Sequence, residues 1–204
     1  MNGLPTIWLA ARAAGITAYV LLTLSMLAGL TLKSRPFGRR VSGATAMEIH
    51  RSVTIAGLAA VGVHGVALAV DRTIDITWFE LIVPGLLPYR PVWGAAGVLA
   101  GELMLILAVS FRLRKRLGMR AWRTLHMSSF AAFALATLHG IFSGTDSEEP
   151  WMRWVYTASI AIVLGGVAFR ILTSKARTSP VVRPNTRAES SAPTAVASPT
   201  DSSR

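Results

Sequence analysis

Five long apolar segments dominate this 204-residue chain. They cover approximately residues 6–32, 47–70, 92–111, 122–142 and 151–173. A transmembrane helix needs about 20 predominantly apolar residues to cross a hydrocarbon core of about 30 Å. Each segment meets that length, and 52% of the residues are hydrophobic while only 15% are charged. The sequence therefore predicts an all-α integral membrane bundle of about five transmembrane helices, surrounded by membrane lipid.

The formal net charge of +11 is concentrated in two of the connections between these segments. The basic residues lie after segments one and three, whereas the connection after segment two and the turn at 145–150 are acidic (Lys33, Arg35, Arg39, Arg40; Arg112, Arg114, Lys115, Arg116, Arg120, Arg123). Because cytoplasmic loops are enriched in Lys and Arg, this pattern predicts an outside N-terminus and a cytoplasmic C-terminus. Membrane topology accounts for the charge, so we expect no nucleic-acid partner.

Two stretches do not fit a membrane span. Residues 74–91 are interrupted by Pro84, Pro88 and Pro91, and we expect them to form an interfacial cap on the outer face. From about residue 174 the composition changes to Ser, Thr, Pro and Ala, which cannot bury enough apolar surface to fold alone. The sequence thus predicts a membrane domain at 1–173 and a disordered cytoplasmic tail at 174–204.

All four histidines lie in the second and fourth segments. His50 and His64 are fourteen residues apart, and His126 and His139 are thirteen apart. At 1.5 Å per residue these steps span about 20 Å, so each helix carries one histidine near each side of the membrane. Because both helices run outward in the predicted topology, His50 lies level with His126 and His64 lies level with His139.

Several roles are open to histidines at these depths. A single intramembrane histidine often only bonds a neighbouring helix, but two matched pairs favour a ligand, and neutral imidazole is an axial ligand of haem iron. Zinc prefers four close ligands, and the chain has no cysteine. The alternative function is a metal-ion or proton transporter that uses the histidines as relay groups, with Glu102 as a further station.

The angular positions of the histidines predict an irregularity in the fourth helix. Fourteen steps of about 100° bring His64 to within about 40° of the face that carries His50, whereas thirteen steps leave His139 about 140° from His126. A straight helix would therefore not direct both of the later rings to one partner. We expect a kink, a π-bulge or supercoiling there, or sites tilted differently against the bundle axis.

The paired spacings resemble the ferric reductase-like transmembrane domain over roughly residues 6–173. That domain occurs in ferric reductases, NADPH oxidases and the membrane haem subunit of bacterial methionine sulfoxide reductase systems. The resemblance implies two b-type haems per chain, with His50 and His126 as iron ligands of the inner one and His64 and His139 as ligands of the outer one. It also implies electron flow from a cytoplasmic donor to an unidentified outer-face acceptor, in a multi-pass protein of a bacterial inner membrane.

Two departures from that family affect the expected partners. The flavin and nicotinamide domain that follows the membrane part in many members is not found in this sequence, and five helices are evident where six are common. We therefore expect a haem-dependent oxidoreductase subunit that receives electrons from a cytoplasmic flavoprotein or another donor, with any flavin held by that partner. A haem-binding subunit that is catalytically silent is a third possibility.

Three arginines are candidates for contacts with haem propionates, because a guanidinium presents a planar set of donors to a carboxylate. Arg12 lies near the expected level of the outer haem, and Arg51 and Arg123 lie near the inner one. Each also has a simpler explanation, since Arg12 can extend to the membrane surface and cytoplasmic arginines are expected from topology alone.

Overall fold

The computed structural model describes residues 4–34, 42–71 and 75–178. Within these residues the chain is helical, with no strand, and its helices are α1 (Leu4–Ser34), α2 (Gly43–Val70), α3 (Pro91–Leu117), α4 (Met119–His126), α5 (Ser129–Ser143) and α6 (Pro150–Thr178). Helices α4 and α5 are the two parts of the fourth predicted segment. Among the residues that the structure describes, five spans are long and apolar enough to cross a membrane, which confirms the predicted helical membrane fold.

The helices form two antiparallel pairs, which meet where α2 approaches α3 and α1 approaches α5. Helix α1 packs along α2, α3 packs along α5, and α6 lies against α1. Helices α2 and α5 run in the same direction, but their backbones do not pack closely against each other. The described part of the bundle therefore has no close backbone packing of α2 against α4 or α5.

The buried core lies between α1, α3, α5 and α6. Tyr19 is at its centre: the ring stacks on Phe133 with centroids 6.0 Å apart and meets Tyr156 edge-on at 5.2 Å. Its hydroxyl lies 3.2 Å from the hydroxyl of Thr137. Helix α2, by contrast, buries only Gly57. Because α2 contributes so little to this core, its position depends on α1 and on whatever occupies its other side.

Helix α3 is longer than the sequence predicts. It continues from residue 111 through Arg112, Arg114 and Lys115 to Leu117, and ends at Gly118, whose φ of 81° does not continue a helix. Arg and Lys are strong helix formers, and their long side chains carry the charge away from the helix axis. A basic stretch that marks a membrane boundary is therefore not necessarily a loop.

Residues 75–90 form a series of turns and do not span a membrane, as predicted. Thr77 and Glu80 form a reciprocal pair of bonds: the backbone N–H and the hydroxyl of Thr77 donate to Glu80 Oε2 at 2.7 and 2.8 Å, while the Glu80 N–H donates back to the hydroxyl. These donors stabilise the ionised carboxylate and lower the pKa of Glu80. Trp78 and Phe79 between them are exposed. Their placement at a membrane interface stays a prediction.

Some predictions lie outside the described residues. Helix α6 continues to Thr178, five residues past the predicted domain boundary, and residues 179–204 of the predicted tail are not described. The same is true of Arg35, Arg39 and Arg40 in the first basic connection. The direction in which the bundle crosses the membrane also stays a prediction.

The packing predicts that one substitution has different effects at two neighbouring positions. Ala132 is 1% exposed within the core, whereas Ala131 is exposed. We expect Ala132→Leu to lower the stability of the detergent-solubilised protein by about 1–3 kcal/mol, because three added carbon atoms must displace packed side chains. Ala131→Leu is the matched control and should leave the thermal unfolding midpoint nearly unchanged. Equal midpoints for the two variants would contradict this packing.

Candidate functional site

The four histidines meet in two pairs between α2 and the α4–α5 segment. The ring centroids of His50 and His126 are 6.2 Å apart, with the planes at 86°. Those of His64 and His139 are 6.4 Å apart, at 74°. The structure therefore brings the histidines together in the pairs that the sequence predicts, at two levels of the bundle.

Three of the four imidazoles are fixed by the same kind of hydrogen bond. Nδ1 of His64 bonds the carbonyl oxygen of Ala11 at 2.8 Å, and Nδ1 of His50 bonds that of Ser25 at 2.9 Å. His139 makes the equivalent bond to Trp93 at 2.9 Å. A carbonyl oxygen only accepts, so each Nδ1 carries a proton, and in the neutral imidazole Nε2 then keeps its lone pair. Metal-ligating histidines characteristically have this arrangement: one ring nitrogen binds the metal, and the N–H of the other donates to a carbonyl or carboxylate.

A glycine follows each of these carbonyl groups by one helical turn. Gly15 follows Ala11, Gly29 follows Ser25, and Gly97 follows Trp93, in each case by four residues. A Cβ atom built on Gly15 would lie 3.0 Å from His64 Nδ1, and one built on Gly97 would lie 2.5 Å from His139 Nδ1. The absence of a side chain therefore lets the imidazole reach a carbonyl that already accepts the N–H of the glycine within its own helix.

A small hydroxyl network surrounds the bond made by His50. Ser25 Oγ lies 3.3 Å from His50 Nδ1 and 2.7 Å from Thr54 Oγ1. Since Thr54 donates its own proton to the His50 carbonyl at 2.7 Å, Ser25 donates to Thr54 and has a lone pair directed to the imidazole. The network thus connects α1 and α2 at this level.

His126 is positioned differently. No hydrogen bond from its ring is formed within the described part of the chain; instead, Trp122 stacks on it with centroids 5.0 Å apart and planes at 19°. Helix α4 ends at His126, and a turn at Met127 and Ser128 separates it from α5. This break supplies the irregularity predicted from the spacing of thirteen, because it allows His126 and His139 to be directed towards one neighbouring helix.

Two of the three predicted arginines pair with carboxylates, and the third is exposed. Arg12 forms an ion pair with Asp146 through two nitrogens, one of them Nε at 2.9 Å from Oδ2. Arg51 lies 3.9 Å from a carboxylate oxygen of Glu48, with both side chains mostly exposed. Arg123 is exposed. The ion pair of Arg12 joins α1 to the turn between α5 and α6, and contacts of all three residues with a cofactor stay predictions.

A compact metal-ion site is not favoured by this geometry. No group of three or more His, Asp or Glu side chains converges within residues 4–34, 42–71 and 75–178. Glu102 is half-buried on α3 and does not join either imidazole pair. Each level therefore offers two nitrogen ligands, which suits a ligand that needs two axial positions and supplies its remaining donors itself.

Sequence reasoning missed the carbonyl groups and glycines that support the imidazoles. A signal for two of them is present, because Gly15 and Gly29 are separated by the same fourteen residues as His50 and His64. On antiparallel helices of equal rise, that spacing places one glycine opposite each histidine. No second glycine on α3 stands at the matching distance from Gly97, because α3 supports only His139.

Comparison with known proteins gives one match. A model of the family described as "Ferric reductase like transmembrane component" matches residues 14–137, which include the first three histidines and end two residues before the fourth. No curated protein and no solved structure matches the chain.

The contact of Gly97 with His139 predicts that this position tolerates no side chain. We expect Gly97→Ala to lower stability by about 1–3 kcal/mol, because the new methyl group must displace the ring or separate α3 from α5. Gly165→Ala is the matched control, since a Cβ there meets no atom within 4 Å. Alanine is also the better helix former. Thermal unfolding in one detergent measures both variants, and equal stability would contradict the close approach.

Proposed function

Because the chain belongs to the ferric reductase like transmembrane component family, we propose that it transfers electrons across a membrane through two bis-histidine b-type haems. His50 and His126 would hold one haem, and His64 and His139 would hold the other. When bound, such haems supply one-electron oxidation and reduction of their iron. The chain would serve as the membrane cytochrome subunit of a reductase.

The separation of the imidazole rings is the observation that carries this proposal. Metal–nitrogen bonds to imidazole are about 2 Å long, and a five-membered ring with bonds of about 1.35 Å has a radius of about 1.1 Å. Two rings that bind one metal ion from opposite sides thus have centroids about 6 Å apart. The observed separations of 6.2 and 6.4 Å agree with that value.

The surroundings of the histidines support the same assignment. The Nδ1 bonds of His50, His64 and His139 leave Nε2 unprotonated, as an axial ligand requires. Helices α2 and α5 are not closely packed against each other, as a flat apolar macrocycle lying between them would require. The described residues provide two ligating side chains at each level, which matches the two axial positions of haem iron.

The protein itself would set the ligands, their orientation and the exclusion of water. The carbonyl groups of Ala11, Ser25 and Trp93 fix the planes of three imidazoles and make them better electron donors to a metal. The predicted topology puts the His50 level on the cytoplasmic side. Electrons would then pass from a cytoplasmic donor to an acceptor on the outer face of a bacterial inner membrane.

The donor would be a separate protein, for which a cytoplasmic flavoprotein is the leading candidate. The C-terminal end of α3 carries Arg114, Lys115 and Arg116 in its last turn. Positive charge on this scale attracts an acidic partner and accelerates its association. Any flavin would belong to that partner.

A difference spectrum of the purified protein tests the proposal. We expect dithionite-reduced minus oxidised absorption to show a b-type cytochrome with about two haems per chain, determined by a haem assay against protein concentration. The spectrum comes from iron held by nitrogen ligands and does not depend on knowing the donor. A colourless protein from haem-replete cells would falsify the assignment and favour the ion-relay alternative.

Removal of single ligands tests the pairing. His64→Ala and His139→Ala should each reduce the haem content from about two to about one per chain, because each leaves one intact imidazole pair. Gly165→Ala on α6, where an added Cβ meets no atom within 4 Å, is the control for effects of purification. Full haem content in both histidine variants would contradict the pairing, and a loss of both haems would show that the two levels are not independent.

A further inference from the structure

Two buried polar atoms near the histidines have no hydrogen-bond partner within the described residues: Trp122 Nε1 and Ser143 Oγ. A buried donor without an acceptor is destabilising, because its bonds to water have been lost without replacement. An orphaned donor of this kind in a folded protein therefore indicates an acceptor that is not part of the chain, or a functional role.

Ser143 is unusual among the hydroxyls on these helices. Thr54, Thr137 and Thr157 each return their proton to the carbonyl group four residues earlier, at 2.7–2.8 Å. That bond is the ordinary way for a hydroxyl in a membrane helix to be satisfied. Ser143 is also the last residue of α5, yet its buried oxygen makes no such bond.

The two orphaned donors are related to the histidines in the same way. Trp122 precedes His126 by four residues and Ser143 follows His139 by four, so each donor lies one helical turn from a ligand. Both lie on the side of the histidine that is nearer the end of the Met119–Ser143 span. At the Trp122 level the proximity is direct, because the indole stacks on His126 at 5.0 Å.

Haem has an apolar ring and two ionised propionates. In a membrane the propionates must turn to the nearer surface and be met by hydrogen-bond donors, since an unpaired charge is costly there. The positions one turn outside each histidine pair are where such donors are needed. Bonds from N–H or O–H groups to a carboxylate are roughly twice as strong as those between neutral groups.

We propose that Trp122 Nε1 and Ser143 Oγ are the donors to the haem propionates, Trp122 at the His50–His126 level and Ser143 at the His64–His139 level. This inference rests on the proposed haem-binding function. Arg90 supplements the second site: its guanidinium donates to the carbonyl group of Phe142, next to Ser143, and forms no ion pair among the described residues. Arg12, by contrast, already has its charge balanced by Asp146.

The test compares haem release from the full-length protein and from Trp122→Phe and Ser143→Ala. Transfer of haem to excess apomyoglobin gives the release rate, and the propionate bending bands in resonance Raman spectra report hydrogen bonding directly. We expect each variant to release one of its two haems about tenfold faster, as loss of a hydrogen bond to a charged group requires. A shifted propionate band should accompany that release.

Matched variants separate this effect from a loss of packing. Trp154→Phe removes an indole that is 73% exposed, and Ser147→Ala removes a hydroxyl already bonded to the Gly144 carbonyl group at 2.8 Å; both should behave as wild type. Ser143→Thr should keep haem release slow because threonine retains the hydroxyl. With haem dimethyl ester, whose propionates carry no charge, the difference between Trp122→Phe and wild type should largely disappear.

The outcomes separate a failure of the proposed function from a failure of this inference. A wild-type protein without haem overturns the proposed function and this inference with it. A wild-type protein with two haems, and with release rates and propionate bands unchanged in both Trp122→Phe and Ser143→Ala, overturns this inference alone. Ser143→Ala removes a single oxygen atom, so it decides the question at its level even if Trp122→Phe does not fold.

Discussion

The hydrogen bond from a histidine Nδ1 to a helix carbonyl group is the interaction on which the site depends. An imidazole N–H buried between apolar helices must find an acceptor, and the helix backbone offers one only where no side chain blocks the approach. Gly15 and Gly97 provide that access for His64 and His139. One contact thus satisfies the donor, fixes the tautomer and orients the ring, so that the remaining nitrogen is available as a ligand.

This interaction also explains why different helices carry the imidazoles and the carbonyl groups that support them. Helices α1 and α3 supply the carbonyl groups. Helix α2 carries two of the imidazoles that bond to them, and α5 carries the third. Helices α1, α3, α5 and α6 share the buried core around Tyr19. Helix α2 buries only Gly57 and packs mainly against α1. A group bound between α2 and α5 would therefore add to the stability of the folded bundle, since it binds only when α2 is in place.

Much of this architecture could be predicted from the sequence, because apolar length and loop charge are strong physical constraints. The lengths of the segments gave the five spans, and the matched spacing of the histidines gave their pairing. The end of α3 was missed by six residues, because Arg and Lys continue a helix as readily as they terminate a membrane span. The thirteen-residue spacing of His126 and His139 predicted an irregularity in the helix. Its position could not be predicted, because Met127 and Ser128 are not a proline or a glycine that would signal a break.

Contacts between distant parts of the chain could not be predicted in the same way. The ion pair of Arg12 and Asp146 joins residues separated by 134 positions, and no periodicity or composition connects them. The same is true of Trp93 and His139, which meet only because α3 returns antiparallel to α5. Such contacts depend on which helices become neighbours, whereas the equal spacing of Gly15 and Gly29 along α1 and of His50 and His64 along α2 can be read from the sequence.

The two levels of the site differ in how firmly they are built. At the His64–His139 level both rings are bonded to carbonyl groups of helices α1 and α3, and the stacking of Trp93 on Phe142, 4.1 Å between centroids, reinforces the second contact. At the other level only His50 is bonded in this way. His126 stands at the end of a short helix, held by the stacked ring of Trp122. A ligand at the His64–His139 level meets preorganised nitrogens. A ligand at the His50–His126 level itself helps to fix the position of His126.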